Sequence, residues 1–406
     1  PGARGGSERL EPTREHRSVG PRARPDADKR LCYGFLDGMS EGLPSASPCA
    51  TIASENGVQG TAGQVGHEVG LYVHLPFCLS KCSYGDVVSI AGGQELWQPY
   101  LRALLAEIRG MAPLRPRTLY VGGGTPTVWP AEYLVALIRA AREMGLSQDA
   151  EATVEANPGT LDASKLHQLR QAGYNRLSLG VQSTFDENLR LLGRSHTFAQ
   201  AQEAMHLGGE AGFDNLSIDL IYGLPQQSLD DWRLDLERAL ELDSDHISAY
   251  SLSLEAGTPL ARTVALGSLP QPDPDAAADM YELTQDLLAA AGYEHYEISN
   301  WARGRPSPEV AAEGHVRTGR RPEPTGGCAG AGAGPAAQIS MEGIACPPER
   351  LAFSCRHNLI YWRNEPYLGL GAGAHSYLGG QRLGRLTDPR AYVAAAPSDR
   401  VAFSET

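Results

Sequence analysis

The sequence lacks any apolar stretch approaching the roughly 18 residues that a membrane-spanning helix needs. It also lacks an apolar N-terminal segment followed by small residues, so no secretory signal is expected. Basic residues are few: 35 Lys and Arg stand against 48 Asp and Glu, a net charge of −13. Because phosphate binding requires a positive surface, nucleic acid is not an expected partner.

Cysteine is scarce as well. Seven cysteines are scattered over 406 residues, and this odd number without dense spacing excludes a small disulfide scaffold. The chain begins at Pro1 rather than Met, which is typical of a fragment or a processed form.

Two segments have too few apolar residues to pack. Residues 1–68 show no hydrophobic period, and residues 304–352 are rich in Gly and Pro, so we expect a disordered N-terminal extension and a low-complexity insertion. The extension carries charges of both signs, unlike an Arg-rich transit peptide. Cytoplasm is therefore the expected location, with the mitochondrion as the alternative.

The rest of the chain alternates strand and helix patterns. Six strands are predicted, each followed by a helical segment: 71–75, 118–121, 152–155, 176–180, 215–220 and 246–251. This alternation predicts an α/β fold whose parallel strands curl into a partial (β/α)6 barrel over residues 69–303. Residues 353–406 continue the ordered region without an obvious final element, so this region is expected to be truncated.

Polar side chains follow several of the predicted strands. Cys78 and Cys82 lie on the loop after the first, and a glycine triplet ends the second. Glu155, Gln182 and Asp219 end later strands. Each feature alone has an ordinary structural explanation. The two thiols could be buried core residues, the glycines could form a tight turn, and the polar residues could cap helices. Together at one edge of a barrel, they predict one site, with Arg194 on a nearby loop.

These motifs, taken in order, resemble the radical S-adenosylmethionine (SAM) family, specifically HemW-type haem chaperones, relatives of oxygen-independent coproporphyrinogen III oxidase. The resemblance covers residues 70–303 and 355–395. The matching stretches are Leu71-Tyr-Val-His-Leu-Pro-Phe-Cys78, Gly122-Gly-Gly-Thr-Pro126, Glu155-Ala-Asn-Pro158, Leu179-Gly-Val-Gln-Ser183, Asp219-Leu-Ile-Tyr-Gly-Leu-Pro225, Tyr296-Glu-Ile-Ser-Asn300, Cys355-Arg-His-Asn-Leu-Ile-Tyr-Trp362 and Gly371-Ala-Gly-Ala-His375.

The resemblance implies a 4Fe–4S cluster held by three loop thiolates, with SAM chelated at its fourth iron. Cys78 and Cys82 fall on two ligand positions. The positions that contact SAM in the family correspond here to Tyr72, Tyr84, Gly123, Gly124, Thr125, Glu155, Gln182, Arg194 and Asp219.

The sequence departs from the family at the third cluster ligand, where Gly85 replaces cysteine. Val87 stands where the chaperones carry Phe and the oxidases a further Cys. Since iron–sulfur sites prefer thiolate, two cysteines are expected to hold a cluster poorly, and neighbouring Asp86 or Cys355 are weaker alternatives.

The motif from His357 to Trp362 resembles a signature associated with haem. By that resemblance His357 is a candidate axial ligand, and Tyr361 and Trp362 are candidate porphyrin contacts. An ordinary core role for the same side chains stays open.

Three functional hypotheses follow. The first is a haem chaperone with cluster, SAM and haem, whose partners would be haem-accepting proteins and an electron donor. The second is a coproporphyrinogen III oxidase-like oxidoreductase of porphyrin biosynthesis. The third is an inactive relative whose cluster site is defective.

Overall fold

The computed structural model describes residues 68–85, 87–111, 114–304 and 352–405. The expected N-terminal extension and the expected insertion lie outside these ranges, apart from residues at their edges. Within the described ranges, no helix combines the length and the apolarity that crossing a membrane requires.

One 12-stranded sheet forms the framework of the described residues, and a two-residue bridge between β2 and β3 lies beside it. The strands are β1 (Glu68–Leu75), β2 (Phe77–Cys78), β3 (Ile90–Ala91), β4 (Arg115–Gly123), β5 (Glu151–Ala156), β6 (Arg176–Gln182), β7 (Asn215–Tyr222), β8 (His246–Ser251), β9 (Tyr293–Glu297), β10 (Asn300–Arg303), β11 (Tyr367–Leu370), β12 (His375–Leu378), β13 (Gln381–Arg385) and β14 (Val401–Glu405).

The six predicted strands are confirmed as the centre of this sheet. They lie in the order β1-β4-β5-β6-β7-β8, and every neighbouring pair is parallel. The carboxyl-terminal ends of all six therefore meet at one edge, which is where ligands bind in parallel α/β sheets.

The sheet extends beyond these six strands on both sides. β11 pairs in parallel with β1, and β12, β13 and β14 follow as antiparallel strands. On the other side, β10 and β9 add an antiparallel hairpin to β8. The expectation that the C-terminal region has no final element was wrong, because β14 pairs with β13 through residue 405.

Helices connect the central strands and cover the sheet. They are α1 (Gln94–Gly110), α2 (Ala131–Glu143), α3 (Ala163–Ala172), α4 (Asp186–Leu191), α5 (Phe198–Glu210), α6 (Leu229–Leu240), α7 (Pro259–Ala265), α8 (Pro274–Ala290), α9 (Arg356–Trp362) and α10 (Pro389–Ala394). Several begin at a side chain that caps the first turn, such as Thr197 before α5 and Ser228 before α6.

The two faces of the central sheet differ in chemistry. Residues such as Leu119, Val154 and Ile218 belong to one buried apolar cluster that includes residues of the surrounding helices. The alternate positions, including Glu155 and Asp219, are polar. Since side chains alternate across a strand, the barrel has an apolar outer face and a polar inner face, which is a suitable lining for a charged ligand.

Candidate functional site

A cavity of about 180 Å³ lies at the carboxyl-terminal ends of the central strands. Most of the residues proposed from sequence for the cluster and SAM line it together. They are Cys78, Cys82, Tyr84, Gly123, Gly124, Thr125, Glu155, Gln182, Arg194 and Asp219. The convergence expected from the strand ends is therefore present in the structure.

The loop that carries Cys78 and Cys82, here called the cysteine loop, is held together where it begins and ends. β2 and β3 pair around it, with Phe77 opposite Ile90 and Cys78 opposite Ala91. At its centre Ser83 donates from its backbone N–H to Leu192 O at 3.1 Å, and its hydroxyl donates to Leu191 O at 2.7 Å. These bonds tie the loop to the end of α4.

Each loop thiol has a polar neighbour from the barrel. The Thr125 hydroxyl donates to Cys78 Sγ at 3.7 Å, and Arg194 Nη1 donates to Cys82 Sγ at 3.3 Å. Both cysteines are unbridged and partly exposed. Burial raises the pKa of the Cys78 thiol, against the opposing effect of the Thr125 hydrogen bond.

Gly85 stands at the position where the resemblance places a third cluster ligand. Gly85 also lines the cavity, and a Cβ atom built on it would have no neighbour within 4 Å among the described residues. In the described ranges, no group of three His, Cys, Asp or Glu side chains is arranged to hold a metal ion. Cys355 is buried against Glu151, with Sγ 3.6 Å from Oε1, and Asp86 lies outside the described residues. Among the described residues, Cys78 and Cys82 are the thiols that line the cavity, and two thiols would not fit a cluster that needs three.

The glycine triplet makes room for the site's own side chains. A Cβ on Gly123 would lie 2.5 Å from the His74 ring, and one on Gly124 would lie 2.9 Å from Cys78 Sγ. A Cβ on Gly122 would lie 2.9 Å from the carboxyl group of Glu155. Close packing of the protein against itself therefore requires these glycines, whatever a ligand requires.

Two carboxyl groups face the cavity from neighbouring regions of the barrel. Burial raises the pKa of Glu155 to about 7, although the Tyr120 hydroxyl donates to Oε1 at 2.7 Å and the Gly123 N–H to Oε2 at 3.0 Å. Burial also raises the pKa of Asp219, against the opposing effect of hydrogen bonds from the Ser248 and Ser178 hydroxyls. The negative charge of Asp219 in turn raises the pKa of Glu155. A cationic ligand would stabilise both groups in their ionised form.

Arg194 links the carboxyl ends of two strands to the cysteine loop. Its Nη2 donates to Gly180 O at 2.9 Å and to Asn157 Oδ1, while Nη1 reaches Cys82. Asn157 in turn donates to the Thr125 hydroxyl at 3.1 Å. Sequence reasoning missed Asn157 as a site residue, although its position two after Glu155 places it on the same face.

Two further proposed residues have distinctive environments. Gln182 is buried at a φ of 70°, a backbone conformation that is uncommon for a residue other than glycine. Tyr84 reaches the cavity from the cysteine loop, and burial raises the pKa of its hydroxyl.

The other four proposed residues lie apart from the cavity lining. Tyr72 bonds through its hydroxyl to His74 Nδ1 at 2.8 Å. His357 is buried, with Nδ1 2.8 Å from the Thr118 hydroxyl and Nε2 2.9 Å from the Tyr361 hydroxyl. Tyr361 is 39% exposed, and Trp362 is half-buried at the end of α9. With both ring nitrogens engaged, His357 does not offer an open axial position to haem iron in this conformation.

The chain is similar to known proteins in both sequence and structure. Residues 72–239 match the model of the radical SAM superfamily. The heme chaperone HemW of Lactococcus lactis is 35% identical over 81% of this chain and 75% of its own length. HemW of Escherichia coli is 34% identical, over 76% of this chain and 69% of its own length.

A mouse protein and a solved bacterial structure are also similar to this chain. The mouse radical S-adenosyl methionine domain-containing protein 1, mitochondrial, is 34% identical over 75% of this chain and 60% of its own length. Among solved structures, coproporphyrinogen III oxidase (HemN) of Escherichia coli, described as a radical SAM enzyme, superposes with a TM-score of 0.64. That match has 25% identity and covers 84% of this chain and 72% of the other.

Proposed function

The chain belongs to the HemW haem-chaperone family of the radical SAM superfamily, and from this premise we propose that it binds SAM in the strand-end cavity and hands haem to acceptor proteins. Bacterial HemW relatives support a cytoplasmic setting. The mouse relative, whose name includes the word mitochondrial, supports the alternative location.

The observation that carries the SAM proposal is the pair of buried carboxyl groups in the cavity. SAM carries a sulfonium and an ammonium group, and the pKa values of Glu155 and Asp219 are both raised by burial. The positive groups of SAM would compensate the two carboxyl groups for the hydration that they lose on burial, and would favour the ionised form of both. The 4Fe–4S cluster of the family would supply one-electron cleavage of SAM when bound.

We propose that the cluster of this chain is incomplete. Cys78 and Cys82 would hold two irons, and no described side chain replaces the thiolate absent at Gly85. The role of the chain's own residues is therefore to bind and orient SAM, with Gly123 and Arg194 fixing the surrounding backbone and loop.

Haem is the second ligand of the proposal. The candidate contacts are His357, Tyr361 and Trp362, of which Tyr361 is the most exposed. For His357 to reach haem iron, its bonds to Thr118 and Tyr361 would have to break and α9 would have to shift. An electron donor and haem-accepting proteins are the partners that the family membership suggests.

The coproporphyrinogen III oxidase-like alternative is less favoured. Its support is the structural likeness to HemN, whereas relatives named as HemW are 34–35% identical over most of the chain. Val87 also stands where the oxidases carry a further cysteine.

Two binding measurements test the proposal. Equilibrium dialysis with labelled SAM should give saturable binding that weakens at least about tenfold in Glu155→Gln and in Asp219→Asn, since each loses a charge-assisted contact. Asp230→Asn, an exposed carboxylate in the first turn of α6, serves as the control. Haem titration should give a Soret shift; an absent shift, or SAM binding equal in all variants, would contradict the function.

A further inference from the structure

α9 packs against the amino-terminal ends of the central strands, away from the cavity. The Glu151 carboxylate, on the first residue of β5, accepts the backbone N–H groups of Arg356 and His357, each at 2.9 Å. A Cβ on Gly70 would lie 2.7 Å from Ile360 Cδ1 and 3.2 Å from His357 Cε1, so this glycine allows the helix to approach β1 closely. The helix is therefore fixed against this end of the barrel, with His357 and Ile360 buried and Arg356 and Tyr361 exposed.

The ring of His357 packs on two tyrosines of the inner barrel face. Its centroid lies 5.3 Å from that of Tyr120, at an interplanar angle of 30°, and 6.4 Å from that of Tyr72, at 34°. The two tyrosine rings are 6.1 Å apart. These three rings, with His74 beside Tyr72 at 5.9 Å, form what we term the aromatic layer.

Two hydrogen-bonded connections lead from the aromatic layer to the functional site. Through Tyr120 the layer reaches the cavity, because its hydroxyl donates to Glu155 Oε1 at 2.7 Å and the other oxygen accepts the Gly123 N–H at 3.0 Å. Through Tyr72 it reaches the cysteine loop, because His74 Nδ1 lies 2.8 Å from the Tyr72 hydroxyl and Nε2 lies 2.8 Å from Val88 O.

We propose that His357 is a positioning residue for the SAM cavity: its ring holds Tyr120 and Tyr72 in the orientation that places Glu155 and the end of the cysteine loop. The inference rests on the proposed binding of SAM in the cavity, and it is independent of haem ligation by His357. It gives the histidine of this motif a role at the cavity even in the absence of haem.

The physical requirement is for a flat ring at this position rather than for an imidazole. Removing the ring leaves space beside Tyr120, so the tyrosine can rotate and its hydroxyl can leave Glu155. A phenyl ring keeps the packing but loses both hydrogen bonds of the imidazole. His357→Ala and His357→Phe lose the same two hydrogen bonds. The difference between the two variants therefore measures the contribution of ring packing alone.

The first readout is SAM affinity, measured by equilibrium dialysis on the full chain. His357→Ala should bind SAM about tenfold more weakly than the wild type, and His357→Phe should stay within about twofold. Thermal unfolding of both variants checks that they fold. Tyr120→Phe provides a second route, because it removes the hydroxyl bonded to Glu155 and should weaken SAM binding without touching α9.

The second readout is the titration of Glu155 by infrared spectroscopy, using the carboxyl band that disappears in Glu155→Gln. The groups that face this carboxyl are Tyr120, Asp219, Arg176 and the Gly123 N–H. In His357→Ala, the Tyr120 hydroxyl should leave Glu155, and the pKa of Glu155 should therefore rise. In His357→Phe the pKa should be unchanged, and in Tyr120→Phe it should rise, because a bond to the charged form is lost.

The outcomes separate this inference from the proposed function. If the wild type binds no SAM, the proposed function fails, while the infrared titration still decides the positioning role. Equal behaviour of His357→Ala and the wild type in both readouts would overturn the inference. Equal loss in His357→Phe and His357→Ala would also overturn it, since the ring would then not be the element that matters.

Discussion

Arg194 Nη1 lies 3.3 Å from the sulfur of Cys82, across a sequence separation of 112 residues. The same guanidinium bonds the Gly180 carbonyl of β6, so one side chain fastens the cysteine loop to the barrel. The loop has few other side-chain bonds to the barrel among the described residues, and its order is expected to depend on this contact.

Arg194→Gln should therefore loosen the cysteine loop. Hydrogen exchange of peptides covering residues 79–89 is expected to become about tenfold faster, the loss of roughly 1.4 kcal/mol for a charge-assisted bond. Arg190→Gln, an exposed position at the end of α4, is the matched control. Equal exchange in the two variants would show that Arg194 does not restrain the loop.

Two glycines of the site should differ in how well they tolerate replacement by alanine. Gly124→Ala places a Cβ 2.7 Å from Phe77 O and 2.9 Å from Cys78 Sγ, so it should cost about 2 kcal/mol of unfolding free energy. In Gly85→Ala, the added Cβ meets no atom within 4 Å in the described part of the chain, so this variant should stay within about 0.5 kcal/mol of the wild type. Urea unfolding measures both, and a tolerated Gly124→Ala would contradict the close packing described for the triplet.

SAM affinity should depend on pH through Glu155. Burial raises its pKa to about 7 in the free protein, so below that pH the carboxyl is protonated and must lose a proton before it can pair with a cation. Affinity is therefore expected to rise with pH, by up to about tenfold per unit, and to level off above about pH 7. Titration calorimetry between pH 5.5 and 8.5 should find a flatter profile in Glu155→Gln; an unchanged slope in that variant would assign the dependence elsewhere.

The C-terminal strands should depend on a buried ion cluster. Glu107 of α1 is fully buried and pairs with Arg385 at 3.0 Å and Arg400 at 3.4 Å. Glu107→Gln leaves two buried guanidinium groups without their anion and should cost about 3–5 kcal/mol. Glu95→Gln on the same helix breaks an exposed pair with Arg390 and should leave stability unchanged. Similar unfolding midpoints for both variants would rule out the cluster as a support of this region.

The sequence was sufficient to predict the centre of the fold. The alternation of strand and helix segments predicted the six parallel strands, and the polar residues that end them, such as Glu155 and Asp219, do meet in one cavity. This prediction succeeded because parallel strands bring their carboxyl ends to one edge whatever the details of packing.

The peripheral strands and the position of α9 could not be predicted in the same way. β11–β14 are only four or five residues long, and β11 pairs with β1, almost 300 residues earlier in the chain, so no local pattern identifies them. His357 similarly owes its place to Thr118, a partner 239 residues away. The requirement for glycine at positions 123 and 124 also depends on neighbours that only the folded chain brings close.

The iron and sulfide content after anaerobic reconstitution shows whether Gly85 leaves the cluster site incomplete. We propose that Cys78 and Cys82 are two ligands of a cluster site beside the SAM cavity and that Gly85 stands at its third position. Gly85→Cys should raise bound iron and sulfide several-fold over the wild type and tighten SAM binding, while Gly85→Ser, which adds a similar side chain without a thiol, should not. Equal iron and sulfide in all three proteins would contradict the account.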